Sequence, residues 1–281
     1  MFVIIGYIMV VGAVMGGFLA SGGHAGVLFQ PFEMVIIFGA ALGAFLAGNS
    51  MTVVKGAFGA ATGTLKSCKQ DKAFYSELVL CFFSLSQKIR KEGLLSLEGI
   101  IENPSGDGTF TPKILADHHL TDFICDNLRL LVTGIEEHQL EDLMEQSLEI
   151  HHEDAHGPIK AIQRIGDAMP AFGIVAAVMG VVHTMESISL PPAELGKLIA
   201  AALVGTFLGI LISYGFIAPV AAVMEERLES EANAYKCAQK GIMCCIKGVS
   251  PPMTAEYMRA VITGSMRPSF SELEAQLKSA K

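Results

Sequence analysis

The stretch HHEDAH, residues 151–156, sets His151, His152 and His156 around Glu153 and Asp154. Imidazole and carboxylate are both ligands for a divalent transition metal. The competing reading is a polar helix surface approaching a membrane, and no role is assigned to the three histidines. The six cysteines, at 68, 81, 125, 237, 244 and 245, contain no C-x-x-C pair, and Cys244 and Cys245 read as helix packing. A glycine-rich phosphate loop, a G-x-S-x-G elbow and an H-E-x-x-H helix are all missing from the sequence. No cofactor, no metal and no enzymatic activity are therefore expected.

A second kind of chemistry is ion movement through apolar surroundings. Thr206, Ser213 and Tyr214 are the candidate polar groups in the apolar run 198–224, and each can be satisfied by a helix carbonyl. An ion pathway normally shows an intramembrane carboxylate or histidine. The ionisable residues near these runs, Glu33, Asp167, His183 and Glu186, all sit at their edges. If the chain moves ions, a second protein must bring the acid. Pro170 and Pro219 remove backbone donors and can kink a helix. Pro170 also fits the first turn of a helix, whereas apolar sequence continues past Pro219.

The elements that carry these residues follow from composition. Of 281 residues, 51% are hydrophobic and 17% charged, against about 25% charged in soluble domains. Residues 2–20, 34–54, 168–185 and 198–224 contain no Asp, Glu, Lys or Arg. Each approaches or exceeds the roughly 20 residues that cross a bilayer, so four transmembrane helices are expected. All but Lys197 of the 20 Lys and Arg residues fall in 55–164 and 227–281. The positive-inside rule then puts 55–167 and the tail in the cytoplasm, with both termini inside. Met1 leads into the first span without a basic segment or cleavage site, so no removable signal is expected. The net charge of −8 argues against nucleic acid as a partner.

The expected domains are 1–54 with spans one and two, 55–167 as a helical cytoplasmic domain, 168–224 with spans three and four, and 225–281 as a helical cytoplasmic tail. The fold class is all-α. Leu78, Cys81, Phe82, Leu85 and Ile89 form a helical stripe within 66–101. Lys88, Arg90, Lys91 and Glu92 form a solvated patch before Gly93, and Ser96-Leu97-Glu98 restarts a helix. Residues 103–112, NPSGDGTFTP, are the clear loop. Residues 113–153 read as helical, with an acidic face of Glu136, Glu137, Glu141, Asp142, Glu145 and Glu149. In that reducing compartment disulfides are not expected.

Small residues punctuate the spans. Gly12 and Gly16, Gly39 and Gly43, and Gly205 and Gly209 each form a G-x-x-x-G, a pattern that lets helix backbones approach in lipid. Packing within the chain is the expectation for most of these. The denser series Ala171, Gly173, Ala176, Ala177, Gly180, Ala200, Ala201, Ala202, Gly205 and Gly209 is expected to face another subunit or a partner helix.

GDAMPAFGIVAAVMGVVH at 166–183 and PAELGKLIAAALVGTFLGILISYGFIAPVA at 192–221 closely resemble the MotA family of flagellar motor stator subunits, in the MotA/TolQ/ExbB proton channel superfamily. GYIMVVGAVMGGFLASGG near the start, QPFEMVIIFGAALGAFLAGN at 30–49, SLEGIIENP at 96–104 and RPSFSELE at 267–274 are similar to it as well. The resemblance implies a subunit of the bacterial inner membrane that converts proton flow into torque. Several copies, a pentamer in related systems, surround the helices of two MotB chains, which supply the ion-binding aspartate. It implies that Arg90 and Glu98 engage the rotor protein FliG and that Pro170 and Pro219 couple ion movement to conformational change. Thr206 and Tyr214 would lie beside the ion path. Ala177 stands where sodium-driven relatives carry threonine, which implies protons rather than sodium. The alternative is a TolQ/ExbB-type energiser of a periplasm-spanning partner, against which four spans count.

Overall fold

The computed structural model describes residues 2–66 and 69–279, so Cys68 lies outside the described residues. The helices are α1 (Phe2–Ala20), α2 (Pro31–Gly48), α3 (Met51–Gly63), α4 (Lys72–Glu92), α5 (Glu98–Glu102), α6 (Pro112–Leu115), α7 (His118–Val132), α8 (Glu137–Glu186), α9 (Pro192–Ile212), α10 (Ala218–Ile246), α11 (Pro251–Val261) and α12 (Phe270–Ser279). Among the described residues there is no strand. Residues 1–67 with 154–226 form one compact unit, and residues 68–153 with 227–281 form the other. Helices α8 and α10 each contribute to both.

Among the described residues, four helical stretches are long and apolar enough to cross a membrane: Phe2–Ala20, Ala25–Gly48, and parts of Glu137–Glu186 and Pro192–Ile246. The charge-free run 34–54 is not one helix. The Asn49 side-chain amide donates to Phe45 O at 2.7 Å. Ser50 then caps α3, its hydroxyl accepting from the Val53 N–H at 3.4 Å. Absence of charge marks apolarity and says nothing about where the backbone turns; the Asn-Ser pair does that, by offering side-chain partners in place of helical ones. Pro170 is likewise not in a first turn: it lies deep inside α8, as does Pro158.

In the first unit, Ile37 and Ala41 of α2 pack with Met169 and Ala176 of α8 and with Val204 and Leu208 of α9. A smaller cluster joins Phe45, Val54, Ala57 and Ala161. Pro158 packs directly on Gly56, where a β-carbon would stand 2.9 Å from the proline ring. Helix α1 buries no residue.

The second unit is built on α4. Its stripe of Leu78, Cys81, Phe82 and Leu85 is buried, with Ile89 packed beside it. Leu120, Ile124, Leu128, Leu131 and Leu140 join the same core. Asp71 caps α4, accepting from the Phe74 N–H at 2.7 Å. Its carboxyl is held below the ordinary range by the Lys113 ammonium, hydrogen-bonded at 2.7 Å. Gly93 ends α4 at φ 83°, a conformation that disfavours any β-carbon. The stretch 113–153, read from sequence as helical, is broken at 116–117 and again at 133–136. Cys81, Cys125, Cys237, Cys244 and Cys245 are free thiols in buried positions. Burial pushes Cys245 up to about 12 and Cys125 to about 11, so these side chains act as small apolar fillers.

Candidate functional site

Helices α8 and α9 meet along glycine. A β-carbon on Gly173 would come within 2.8 Å of the Gly205 carbonyl oxygen, and one on Gly209 within 2.7 Å of Met169 O. Neither neighbour can yield, because both are backbone. Gly205 lies across from Ala176 and Ala177, the latter's backbone N being 3.3 Å from the position of a β-carbon on Gly205. Ala177 and Thr206 are therefore neighbours across one seam, each half-buried.

This seam corrects two expectations about small residues. Gly173, Ala176, Ala202, Gly205 and Gly209 are buried against one another within the chain, not left for a second subunit. Conversely, Gly12, Gly16, Gly39 and Gly43 have nothing within 4 Å of a β-carbon and pack against nothing in the chain. What α8 leaves exposed is a large apolar face of Ile174, Val175, Val178, Met179, Val181 and Val182. Spacing alone could not separate these faces, since both series have helical periodicity.

The two prolines sit at a linked pair of backbone defects. Pro170 has no N–H, so the Gly166 carbonyl four residues earlier loses its helical donor. The Ser213 hydroxyl, buried, donates to that carbonyl at 2.7 Å from the other helix. Ser213 opens a π turn, Ser213–Ile217, between α9 and α10. The turn immediately precedes Pro219, whose missing N–H would otherwise have continued the α-helical ladder. The wider register, in which the Ala218 N–H reaches back to Ser213 O, absorbs the break. Helix α1 closes on the same turn. The Tyr7 hydroxyl donates to Phe216 O at 2.8 Å, and Val10 stands 3.0 Å from where a β-carbon on Gly215 would be. Tyr214 points outward, 68% exposed. Nothing in the spacing links Ser213 or Tyr7 to the prolines, although the position four residues before Pro170 signals an orphaned carbonyl.

Glu33 lies at the edge of its span, as its place in the sequence suggests, but its side chain does not stay there. It stands in the first turn of α2, and its carboxylate enters the α8–α9 seam. Its Oε1 is 3.3 Å from the β-carbon position of Gly180, and its Oε2 is 2.9 Å from that of Gly205.

In the second unit, Arg90 lies in the last turn of α4 and Glu98 in the first turn of α5. Both are exposed. Each charge complements its helix end, yet among the described residues neither makes an ion pair. Beside them Lys88 pairs with Asp107 at 3.1 Å. The histidine segment carries no metal geometry: among the described residues no group of three or more His, Cys, Asp or Glu side chains is placed to hold an ion. Instead His152 lies 3.5 Å from Glu229 and His156 lies 3.7 Å from Glu225, as pairs along α8 and α10.

Residues 4–93 match the family model described as motility protein A N-terminal, and residues 115–236 match the MotA/TolQ/ExbB proton channel family. Among curated proteins, motility protein A of Salmonella typhimurium is 42% identical over 284 residues, covering 100% of this chain and 96% of the relative. Among solved structures, MotAB of C. jejuni superposes with a TM-score of 0.81 at 18% identity, over 95% of this chain and 98% of that one. The flagellar MotAB stator complex from Bacillus subtilis gives 0.78 at 23% identity, over 99% and 98%.

Proposed function

Since the chain belongs to the motility protein A family of flagellar stator subunits, within the MotA/TolQ/ExbB proton channel family, we propose how its geometry serves that role. Four stretches cross the inner membrane: α1, α2, the second part of α8, and α9 with the start of α10. Residues 55–167 and 225–281 lie in the cytoplasm with both termini. The basic residues, nearly all of them in those two segments, support this orientation. Several copies, five by analogy with related systems, enclose MotB helices, and lipid covers the remaining apolar surface.

The observation that carries the reading is the coupled defect at Pro170 and the π turn before Pro219. A helix pair locked by glycine contacts cannot bend freely. A pair in which one carbonyl is served by a serine of the neighbouring helix has a weak point with two alternative partners, that serine or water. Proton binding to an acid supplied by MotB, beside Ala177, Thr206 and Tyr214, would bias that point. The exposed Arg90 and Glu98 then bear on the rotor protein FliG. A wall of Val, Ile, Met and Ala without hydroxyl at 177 suits protons, because sodium needs oxygen ligands in place of its water.

The test is co-expression with the cognate MotB in cells lacking stators, recording tethered-cell rotation while the proton and sodium gradients are collapsed separately. Rotation should stop with the proton gradient alone. Rotation that followed sodium would overturn the ion assignment. Normally inserted Pro170→Leu or Arg90→Ala/Glu98→Ala variants that turned the motor as well as the parent would overturn the coupling and rotor roles. A fully assembled complex that drove no rotation would favour the TolQ/ExbB-type energiser.

A further inference from the structure

An acid in the first turn of a helix ordinarily turns back on its own N-terminus, where free N–H groups and the helix dipole stabilise it. Glu33 does otherwise. The N-cap of α2, Gln30, provides no side-chain cap, so the first turn offers donors. Yet Glu33 Oε2 is buried without any hydrogen-bond partner. The carboxylate extends between α8 and α9 and occupies the space two glycines leave open. A β-carbon on Gly205 would stand 2.9 Å from Oε2, and one on Gly180 would stand 3.3 Å from Oε1. The other atoms nearest those two positions are the methyls of Ala176 and Ala202, the Ala202 Cα and the Ala177 backbone N.

An ionised carboxylate oxygen held among methyl groups and glycine backbone, with no donor, is costly. A proton removes that cost. The position also matters: Gly205 is followed by Thr206 and faces Ala177 across the seam, so the carboxylate stands at the residues already placed beside the ion path. We propose that Glu33 is a proton-binding station on the outer side of that path. Outside water gives a proton to the Glu33 carboxylate. The resulting acid gives it to a carboxylate on the partner's helix and is left ionised for the next cycle. This rests on the reading of the chain as a proton-driven stator subunit.

The test uses full-length chain co-assembled with its partner in proteoliposomes, with proton flux under an imposed membrane potential as the readout, and swimming-motor speed at low and high load as the second. Glu33→Gln keeps the shape and hydrogen-bonding oxygen but cannot carry a proton. It should assemble as the parent does and lower flux about a hundredfold, within what a positioned proton-transfer group supplies. Low-load speed should fall more than high-load torque, because proton delivery limits only the former. Glu33→Asp should retain intermediate flux. Should Glu33→Gln fail to assemble, Glu33→Ala with added formate decides, since a free acid in the vacated space should restore flux. Parental flux in Glu33→Gln, or an assembled Glu33→Ala without rescue, would overturn the proposal. A parent complex that carries no flux would instead overturn the stator reading beneath it.

Discussion

Ser213 donates to a carbonyl that Pro170 has orphaned, so the two residues should be energetically coupled. Removing the hydroxyl, Ser213→Ala, leaves the buried Gly166 oxygen without a donor. A buried acceptor left unsatisfied costs about 1–3 kcal/mol, and the 2.7 Å contact between buried atoms places this case within that range. Pro170→Ala returns an N–H at position 170, and the helical bond to Gly166 O reforms. In that background Ser213→Ala should cost no more than about 0.5 kcal/mol, as for a substitution at an uncoupled site. The coupling energy in the four-protein cycle is then about 1–2 kcal/mol. Comparing Ser213→Ala within each background cancels the helix-propensity gain of proline removal. Unfolding of the detergent-solubilised chain, followed by denaturant-induced loss of helical signal, measures the four stabilities. Equal costs of Ser213→Ala in the two backgrounds would refute the idea that the serine serves the proline's carbonyl.

Other outcomes follow from the same geometry. Gly209→Ala drives a β-carbon to 2.7 Å from Met169 O and should cost about 1–3 kcal/mol as overpacking. Gly43→Ala meets nothing within 4 Å and should leave the isolated chain unharmed; equal losses in a thermal-unfolding comparison would contradict the seam. Tyr7→Phe removes the 2.8 Å bond to Phe216 O. It should lower stability by about 0.5–1.5 kcal/mol and increase protease access to α1. The Glu272 carboxyl is lowered from 4.5 to about 2, chiefly by its hydrogen bond to Lys72, with further help from Ser269. Its folded-state value lies below its unfolded one, so its contribution is complete above about 4.5 and is lost as pH falls toward about 2. Hydrogen exchange in α12 should rise over that window, and Lys72→Met, by returning the folded-state value toward the unfolded one, should narrow the window from its low-pH side and shrink the rise; an unchanged profile would discount the pair. Arg90→Ala and Glu98→Ala, both at exposed positions, should change stability by less than about 0.5 kcal/mol, so that a loss of rotation would not come from a destabilised fold.

The apolar runs, the helical class and the buried stripe of α4 were legible in the sequence because each is a local pattern. Leu78, Cys81, Phe82 and Leu85 must share a helical face, and that face must be covered. The exposure of Arg90 was legible for the same reason, since it lies among Lys88, Lys91 and Glu92 just before Gly93. The break at Asn49–Ser50 is invisible to hydropathy, because it rests on the hydrogen bonds of two short polar side chains within an apolar run.

What the sequence determined by itself is composition-bound: apolar stretches of spanning length, a charge distribution and a set of family motifs. The tertiary structure decided which glycines close a helix pair and which face open space. It decided that the orphaned carbonyl behind Pro170 meets Ser213, and that Glu33 turns into the seam instead of capping its own helix. These are pairings between residues far apart in the chain. Periodicity assigns a residue to a face, but only the packed helices show which backbone that face meets.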